Sequence, residues 1–339
     1  ADSSDLMDPL TQGVLGATLP QASVSGRYAA SAGLLGFLSG LAADLDVLIR
    51  SSTDPLLFLE YHRQFTHSLM FVPFGGLICA AVLHFVIGRR RGLSFRQTWL
   101  FCTLGYATHA LLDACTTYGT MLFWPFSDAR IAWNTISIID PLFTIPILIG
   151  VLLSARRLTP LFARLALVWA LGYMALGLWQ RNEAVSMGYI LASQRGHTPT
   201  RLEAKPSFGN ILVWKTVYET DDRFYVDAVR ASLAPRVFYG TSVQKLDIQR
   251  DIPWLRQDSQ QARDIERFRW FSNDYLARSP EFGNRIIDIR YSMLPNEVAP
   301  LWSIQLDPHA KDNEHVIYQV HRDRGTEKTA QLWKMLSAP

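Results

Sequence analysis

The chain has 339 residues, 49% of them apolar and 19% charged, with a formal charge of +3. That length accommodates two domains, and the near-neutral balance argues against a nucleic-acid-binding face. Charge divides the chain: residues 1–181 hold 12 Arg, no Lys and 10 acids, whereas residues 182–339 hold 21 Lys/Arg and 20 acids, so the first half does not have the composition of a soluble domain.

Ala1 to Leu6, ahead of Met7, reads as a leading remnant and carries no fold argument. No cleavable signal peptide is visible, so membrane insertion is expected from internal segments. The first of these, 29–49, is Gly-rich and carries Asp44 and Asp46 near its end. Residues 69–88 are uncharged apart from His84, and that length matches the hydrocarbon thickness of a bilayer. Residues 97–115 carry His109 and Asp113 near their end, and 138–155 and 165–180 are again apolar. The expected fold is therefore an α-helical multi-pass membrane domain of about five transmembrane helices. A mixed α+β soluble domain with an antiparallel sheet follows. Its signals are short β-branched and aromatic runs at 211–218, 223–229, 286–293, 301–306 and 316–320, and helical patterns at 262–271 and 327–336. The domain boundaries are expected at 7–192 and 200–339.

Arginine sets the orientation. Arg89, Arg90, Arg91, Arg96, Arg156, Arg157 and Arg164 occupy two alternate loops, against Arg50, Arg63 and Arg130 in the other two. The Arg-rich loops are expected in the cytoplasm, so the remaining loops and the C-terminal domain face the periplasm.

On this topology the scarce ionisable groups of the first half gather at one face. Asp44, Asp46, Glu60, His62, Arg63, His67, His109, Asp113 and Asp140 all fall at the outer ends of segments or in the loops joining them. Ionisable groups in a membrane body are costly and mark function. His109 and Asp113 are four apart, so a helix projects both from one face. Asp44 and Asp46 are two apart and diverge on a regular helix; if both serve one site, the helix unwinds there or one of them acts through its neighbours. Mixed His and Asp donors suit Zn, Mn or Fe(II). Cys79, Cys102 and Cys115 lie in apolar runs without ligand spacing and read as structural thiols. His84, at the opposite end, reads as structural, and His197, His309, His315 and His321 form no recognised ligand motif.

The runs Ala43-Asp44-Leu45-Asp46, His62-Arg63-Gln64-Phe65-Thr66-His67-Ser68 and Thr108-His109-Ala110-Leu111-Leu112-Asp113, followed by Tyr118-Gly119-Thr120 and Trp124-Pro125-Phe126, resemble in order the signatures of the YdjM family. These are bacterial inner-membrane proteins described as LexA-regulated metal-dependent hydrolases. The resemblance covers roughly residues 7–153. It implies a multi-pass inner-membrane metallohydrolase with Asp44, Asp46, His62, His67, His109 and Asp113 as metal ligands. Two positions depart from the pattern: Gln12 and Val47 stand where many members have His. One or two divalent transition-metal ions are therefore expected.

The resulting expectation is hydrolysis of a lipid or lipid-linked substrate, phosphoester in preference to ester or amide, at the outer face of the inner membrane. Glu60 or Asp140 would accept a proton, and Arg63 and Arg130 would hold an anionic group. A transporter using the same His/Asp cluster and a non-catalytic membrane scaffold are the alternatives. Transport needs groups near mid-membrane with access from both sides, and here they collect at one end. The C-terminal domain is expected to cover the site without supplying ligands.

Overall fold

A computed structural model of the chain describes residues 9–24, 26–321 and 325–337; the leading remnant 1–6 and the expected domain start at Met7 lie outside the described residues. The chain forms two compact units. One comprises Ala1–Ile49, Tyr61–Leu178 and Phe208–Asn210, the other Arg50–Glu60, Trp179–Ser207 and Ile211–Pro339.

The first unit is helical. It begins with α1 (Pro9–Ala22) and α2 (Ala29–Gly40), which passes into a 3-10 helix over Ala42–Leu48. A short α3 (Leu57–Tyr61) precedes α4 (Val72–Leu83), which continues through a π turn at His84–Gly88 and a 3-10 turn at Arg89–Arg91. Then come α5 (Phe95–Cys115), α6 (Pro141–Arg157) and the long α7 (Leu161–Gln194), which runs from the first unit into the second. Helix α5 starts at a capping box in which Ser94 and Gln97 satisfy each other's backbone N–H groups.

Helix α1 has no counterpart among the expected spans, because its 14 residues are too few to cross a bilayer. It is almost wholly buried, and glycine explains how it fits. A Cβ added at Gly16 of α1 would lie 2.6 Å from the Gly36 carbonyl oxygen of α2, and one at Gly105 of α5 would lie 2.4 Å from the same atom. Three helix backbones thus meet where no side chain intervenes, the packing that small residues give helices in membranes.

Among the described residues, three stretches are long and apolar enough to cross a membrane: Gly26–Leu48, Val72–Arg91 and Leu161–Gln194. The expected count of five is not reached among the described residues. Helix α5 is long enough but carries Arg96, Gln97, His109 and Asp113, and α6 has only 17 residues. The large apolar side chains exposed along α4 and its π turn include Phe74, Leu77, Ile78, Val82, Phe85 and Val86. An apolar band at this spacing fits a lipid-facing surface.

The second unit contains two antiparallel sheets. Strands β1 (Arg201–Pro206), β2 (Val213–Glu219), β3 (Arg223–Arg230) and β4 (Arg236–Phe238) follow one another across the first, and β5 (Ser242–Gln244) also pairs with β3. After α8 (Ile248–Asp251) and α9 (Gln260–Phe271), strands β6 (Leu276–Arg278), β7 (Arg285–Asp288), β8 (Trp302–Gln305) and β9 (Ile317–Val320) form the second sheet in chain order, and α10 (Thr326–Ser337) closes the described chain. Both sheets contribute to one core: Val217, Phe224, Val226 and Val243 from the first pack with Tyr275, Ala277, Ile287 and Ile289 from the second. The expected strands correspond to β2, β3, β7, β8 and β9 and the expected helices to α9 and α10; β1, β4, β5 and β6 were not anticipated.

Residues 50–60 belong to this second unit. Phe58 packs edge-on against Tyr318, with ring centroids 5.2 Å apart. Arg267 of α9 makes two hydrogen bonds to the Asp54 carboxylate, at 2.8 and 2.9 Å, and others to Glu60 and Asp264.

Candidate metal centre

Six residues from three segments converge inside the first unit. The first segment is the 3-10 helix at Ala42–Leu48. In an α-helix residues two apart point about 160° away from each other, and 3-10 winding reduces this to about 120°. Tighter winding, where the sequence suggested unwinding, brings Asp44 and Asp46 to the same cluster while Leu45 points outward, 63% exposed. The local sequence conflict is resolved by the backbone.

The Asp46 carboxylate organises the second segment. One oxygen, Oδ1, lies 2.8 Å from His62 Nδ1; the other, Oδ2, accepts hydrogen bonds from the Arg63 backbone N–H at 2.9 Å and the Thr66 hydroxyl at 2.8 Å. Arg63 has a left-handed backbone, with φ 64°, a conformation that costs a non-glycine residue on the order of 1 kcal/mol. Hydrogen bonds on both sides hold it there: its carbonyl accepts from the Met121 N–H at 2.9 Å and from the Thr120 hydroxyl at 3.3 Å. This turn places His62 and His67 on the same side.

Helix α5 supplies the third segment. His109 Nδ1 lies 2.6 Å from the Gly40 carbonyl oxygen, which can only accept. The hydrogen therefore sits on Nδ1, and in the neutral ring Nε2 carries the lone pair. That Nε2 lies 2.9 Å from His67 Nε2 and 3.3 Å from Asp44 Oδ1. Asp113, one turn further on, receives a 2.7 Å hydrogen bond on Oδ1 from Gln12 of α1, and its Oδ2 lies 3.2 Å from both His67 Nε2 and Arg63 Nε.

The donors thus fall into two groups, Asp44, His67, His109 and Asp113, and Asp44, Asp46 and His62; within each, the donor atoms lie within 4.8 Å of one another. All six side chains are buried. Among the described residues, both oxygens of Asp44, Oδ2 of Asp113 and Nε2 of His62 find no hydrogen-bond partner. Buried polar atoms are ordinarily paired, and here lone-pair atoms face one another around a common space. Three buried carboxylates have only one fixed cation among them, Arg63. A divalent cation satisfies both the orphaned atoms and the charge, and the mixed nitrogen and oxygen donors suit Zn, Mn or Fe(II). Burial pushes the His62 imidazole below its ordinary pKa despite the nearby Asp46, keeping it in the neutral form that ligates. Burial also disfavours charge on His67, but the carboxylates of Asp113, Asp44 and Asp46, 3.2–3.4 Å from its ring nitrogens, outweigh it and hold this ring well above the usual value.

Arg63 and Arg130 flank the cluster through Tyr118, whose ring centroid lies 4.7 Å from one guanidinium carbon and 5.6 Å from the other. Arg63 itself is buried and directed to Asp113 and Thr116, so its principal role is to hold the ligand shell.

Two residues given chemical roles on sequence grounds are engaged elsewhere. Asp140 caps α6, accepting from the N–H groups of Leu142 and Phe143, and its second oxygen accepts from the Tyr173 hydroxyl at 2.8 Å. The Glu60 carboxylate is bound by Arg267. Neither belongs to the donor groups. His84 bonds Thr98, 3.0 Å away, and the tail histidines enter no donor group among the described residues. Sequence reasoning missed the hydrogen bonding of Gln12, Thr66 and the Gly40 carbonyl. The available signal for Gln12 was its place in the family pattern, where many members have His.

The chain is similar to the uncharacterized protein YfhP of Bacillus subtilis, at 30% identity over 142 residues, covering 40% of this chain and 42% of that protein. It is also similar to the inner membrane protein YbcI of Escherichia coli, at 34% identity over 134 residues, covering 36% and 67% respectively. The match thus spans less than half the length of YfhP. No solved structure matches the chain. The family described as YdjM inner membrane protein matches residues 7–184, a stretch that holds every donor of the cluster and three apolar membrane-length segments, the third continuing to Gln194. An inner-membrane location follows, and the chain belongs to the YdjM inner membrane protein family.

Proposed function

We propose that the protein is a metal-dependent hydrolase of the inner membrane, acting on a lipid or lipid-linked phosphoester. The observation that carries this reading is the set of buried, mutually facing and unpartnered donor atoms of Asp44, His62 and Asp113 beside His67 and His109. When bound, a divalent transition ion supplies Lewis acidity, polarising a phosphoryl oxygen and making a coordinated water more acidic.

The chain's own residues do the remainder. Asp44, Asp46, His62, His67, His109 and Asp113 hold the ion. The Gly40 carbonyl and Asp46 orient His109 and His62, and Gln12 and Arg63 orient Asp113. Arg130, beside Tyr118, is suited to bind an anionic oxygen of the substrate. Exposed Phe123, Phe126 and Trp133 in the segment after α5 are suited to the headgroup layer, which favours a lipid over a soluble ester.

In this reading α5 and α6 also cross the bilayer, the Arg-rich turns at 89–96 and 156–164 are cytoplasmic, and the cluster and the C-terminal unit are periplasmic. The test is phosphate release from a panel of phospholipids and lipid pyrophosphates by the full chain in nanodiscs with Mn(II) or Zn(II). Chelator-sensitive release supports the proposal. No release from any member of the panel by metal-loaded protein contradicts it.

A further inference from the structure

We infer that the cluster is built for two metal ions of unequal coordination bridged by the Asp44 carboxylate, an inference that rests on the metal-dependent reading above and adds the number of ions and the division of ligands. The two donor groups have one residue in common, Asp44. Its carboxylate also differs from the others in its commitments. Asp46 engages both oxygens, Oδ1 with His62 Nδ1 and Oδ2 with the Arg63 N–H and the Thr66 hydroxyl, and Asp113 spends Oδ1 on Gln12. Both oxygens of Asp44 are buried without a hydrogen bond. A carboxylate with two uncommitted oxygens between two sets of donors has the valence of a bridge.

The two sides are unequal. Asp44, His67, His109 and Asp113 offer four donors, enough to close a tetrahedral shell, whereas Asp44, Asp46 and His62 offer three, which leaves a position open. The closed side is the more deeply buried: His67, His109 and Asp113 are 0% exposed, against 2% and 3% for His62 and Asp46. A substrate oxygen would take the open position on the three-donor side. Charge supports two ions as well. One divalent ion would just neutralise three carboxylates and Arg63, whereas two leave a net positive site, the complement of a phosphoester anion.

The experiment is a titration of the full chain, stripped with chelator, with Mn(II), read by equilibrium dialysis and electron paramagnetic resonance. The expected result is two Mn(II) per chain, with a spectrum split by both manganese nuclei. His62→Ala should retain one ion with an ordinary six-line spectrum and bind the second at least tenfold more weakly, and Asp44→Asn should abolish the coupling. One ion per chain in the wild type, or two ions without coupling, overturns the bridge and leaves a metal-dependent hydrolase standing. A wild-type chain that binds neither Mn(II) nor Zn(II) overturns both readings. The wild-type measurement decides even if a variant fails to fold.

Discussion

The Nε2 atoms of His67 and His109 face each other at 2.9 Å, inside a shell completed by Asp44 Oδ1 and Asp113 Oδ2. The Nδ1 hydrogen of His109 is committed to the Gly40 carbonyl, so its Nε2 brings a lone pair to the contact. The geometry suits a shared cation, and the surrounding hydrogen bonds fix the rings in place before one arrives.

His109→Ala should therefore reduce affinity for Zn(II) or Mn(II) by at least a hundredfold while leaving the helical circular dichroism unchanged. Gln12→Leu should act more mildly. Losing the amide that orients Asp113 should cost about tenfold in metal affinity, the lower end of the usual effect of residues behind metal ligands. Isothermal titration of both variants checks the order. An unaltered affinity in His109→Ala would remove α5 from the site.

Asp140→Ala should separate structure from ligation. The carboxylate caps α6 and accepts from Tyr173, and loss of such a cap costs about 1 kcal/mol. The variant should melt at a lower temperature with unchanged metal stoichiometry. Loss of metal without loss of stability would place Asp140 among the ligands instead.

Much of the site was legible because ionisable residues are rare in the first half of the chain, so each was conspicuous. The His109–Asp113 spacing translated directly into a shared helix face. The conflict at Asp44 and Asp46 was also visible, as two carboxylates two apart in an apparent helix, and the 3-10 winding resolves it. The partners of Glu60 and Asp140 were not legible, because sequence proximity does not reveal them: Arg267 lies 207 residues from Glu60, and the cap on α6 depends on backbone geometry. Helix α1 escaped notice because its burial rests on glycine contacts with α2 and α5, a property of the assembled fold. In the C-terminal unit, strong alternation revealed the central strands, whereas the three-residue strands β4, β5 and β6 are set by their neighbours.

Lys215 provides a pH signature for the C-terminal unit. Its amine is buried and donates to the Ser292 hydroxyl at 2.7 Å and to the Glu297 carbonyl at 2.6 Å. Burial lowers its pKa from 10.5 to about 7; the neighbouring Asp288 and Glu297 charges oppose this without cancelling it. Between those values the unfolded chain binds the proton and the folded chain does not, so this residue's contribution to stability rises with pH across that window and is lowest below it. The stability of wild type relative to Lys215→Met should therefore increase from pH 7 to pH 10, measured by hydrogen exchange in β2 and β3. A difference independent of pH would show that the buried amine does not titrate there.

Orientation is open to labelling. Single cysteines at Asp54 and Ser127, in a chain whose three native cysteines are replaced, should react with an impermeant maleimide added to spheroplasts, and one at Arg91 should not. The reverse pattern would put the cluster on the cytoplasmic side and exclude periplasmic substrates.

The claim on which the account depends is that the buried His/Asp cluster holds metal. Elemental analysis of the full chain, purified without chelator beside Asp113→Ala and His109→Ala, tests this most directly. The account predicts at least one stoichiometric divalent transition metal in the wild type and a clear loss in both variants. A folded wild-type chain that is free of metal and takes up neither Zn(II) nor Mn(II) would contradict it.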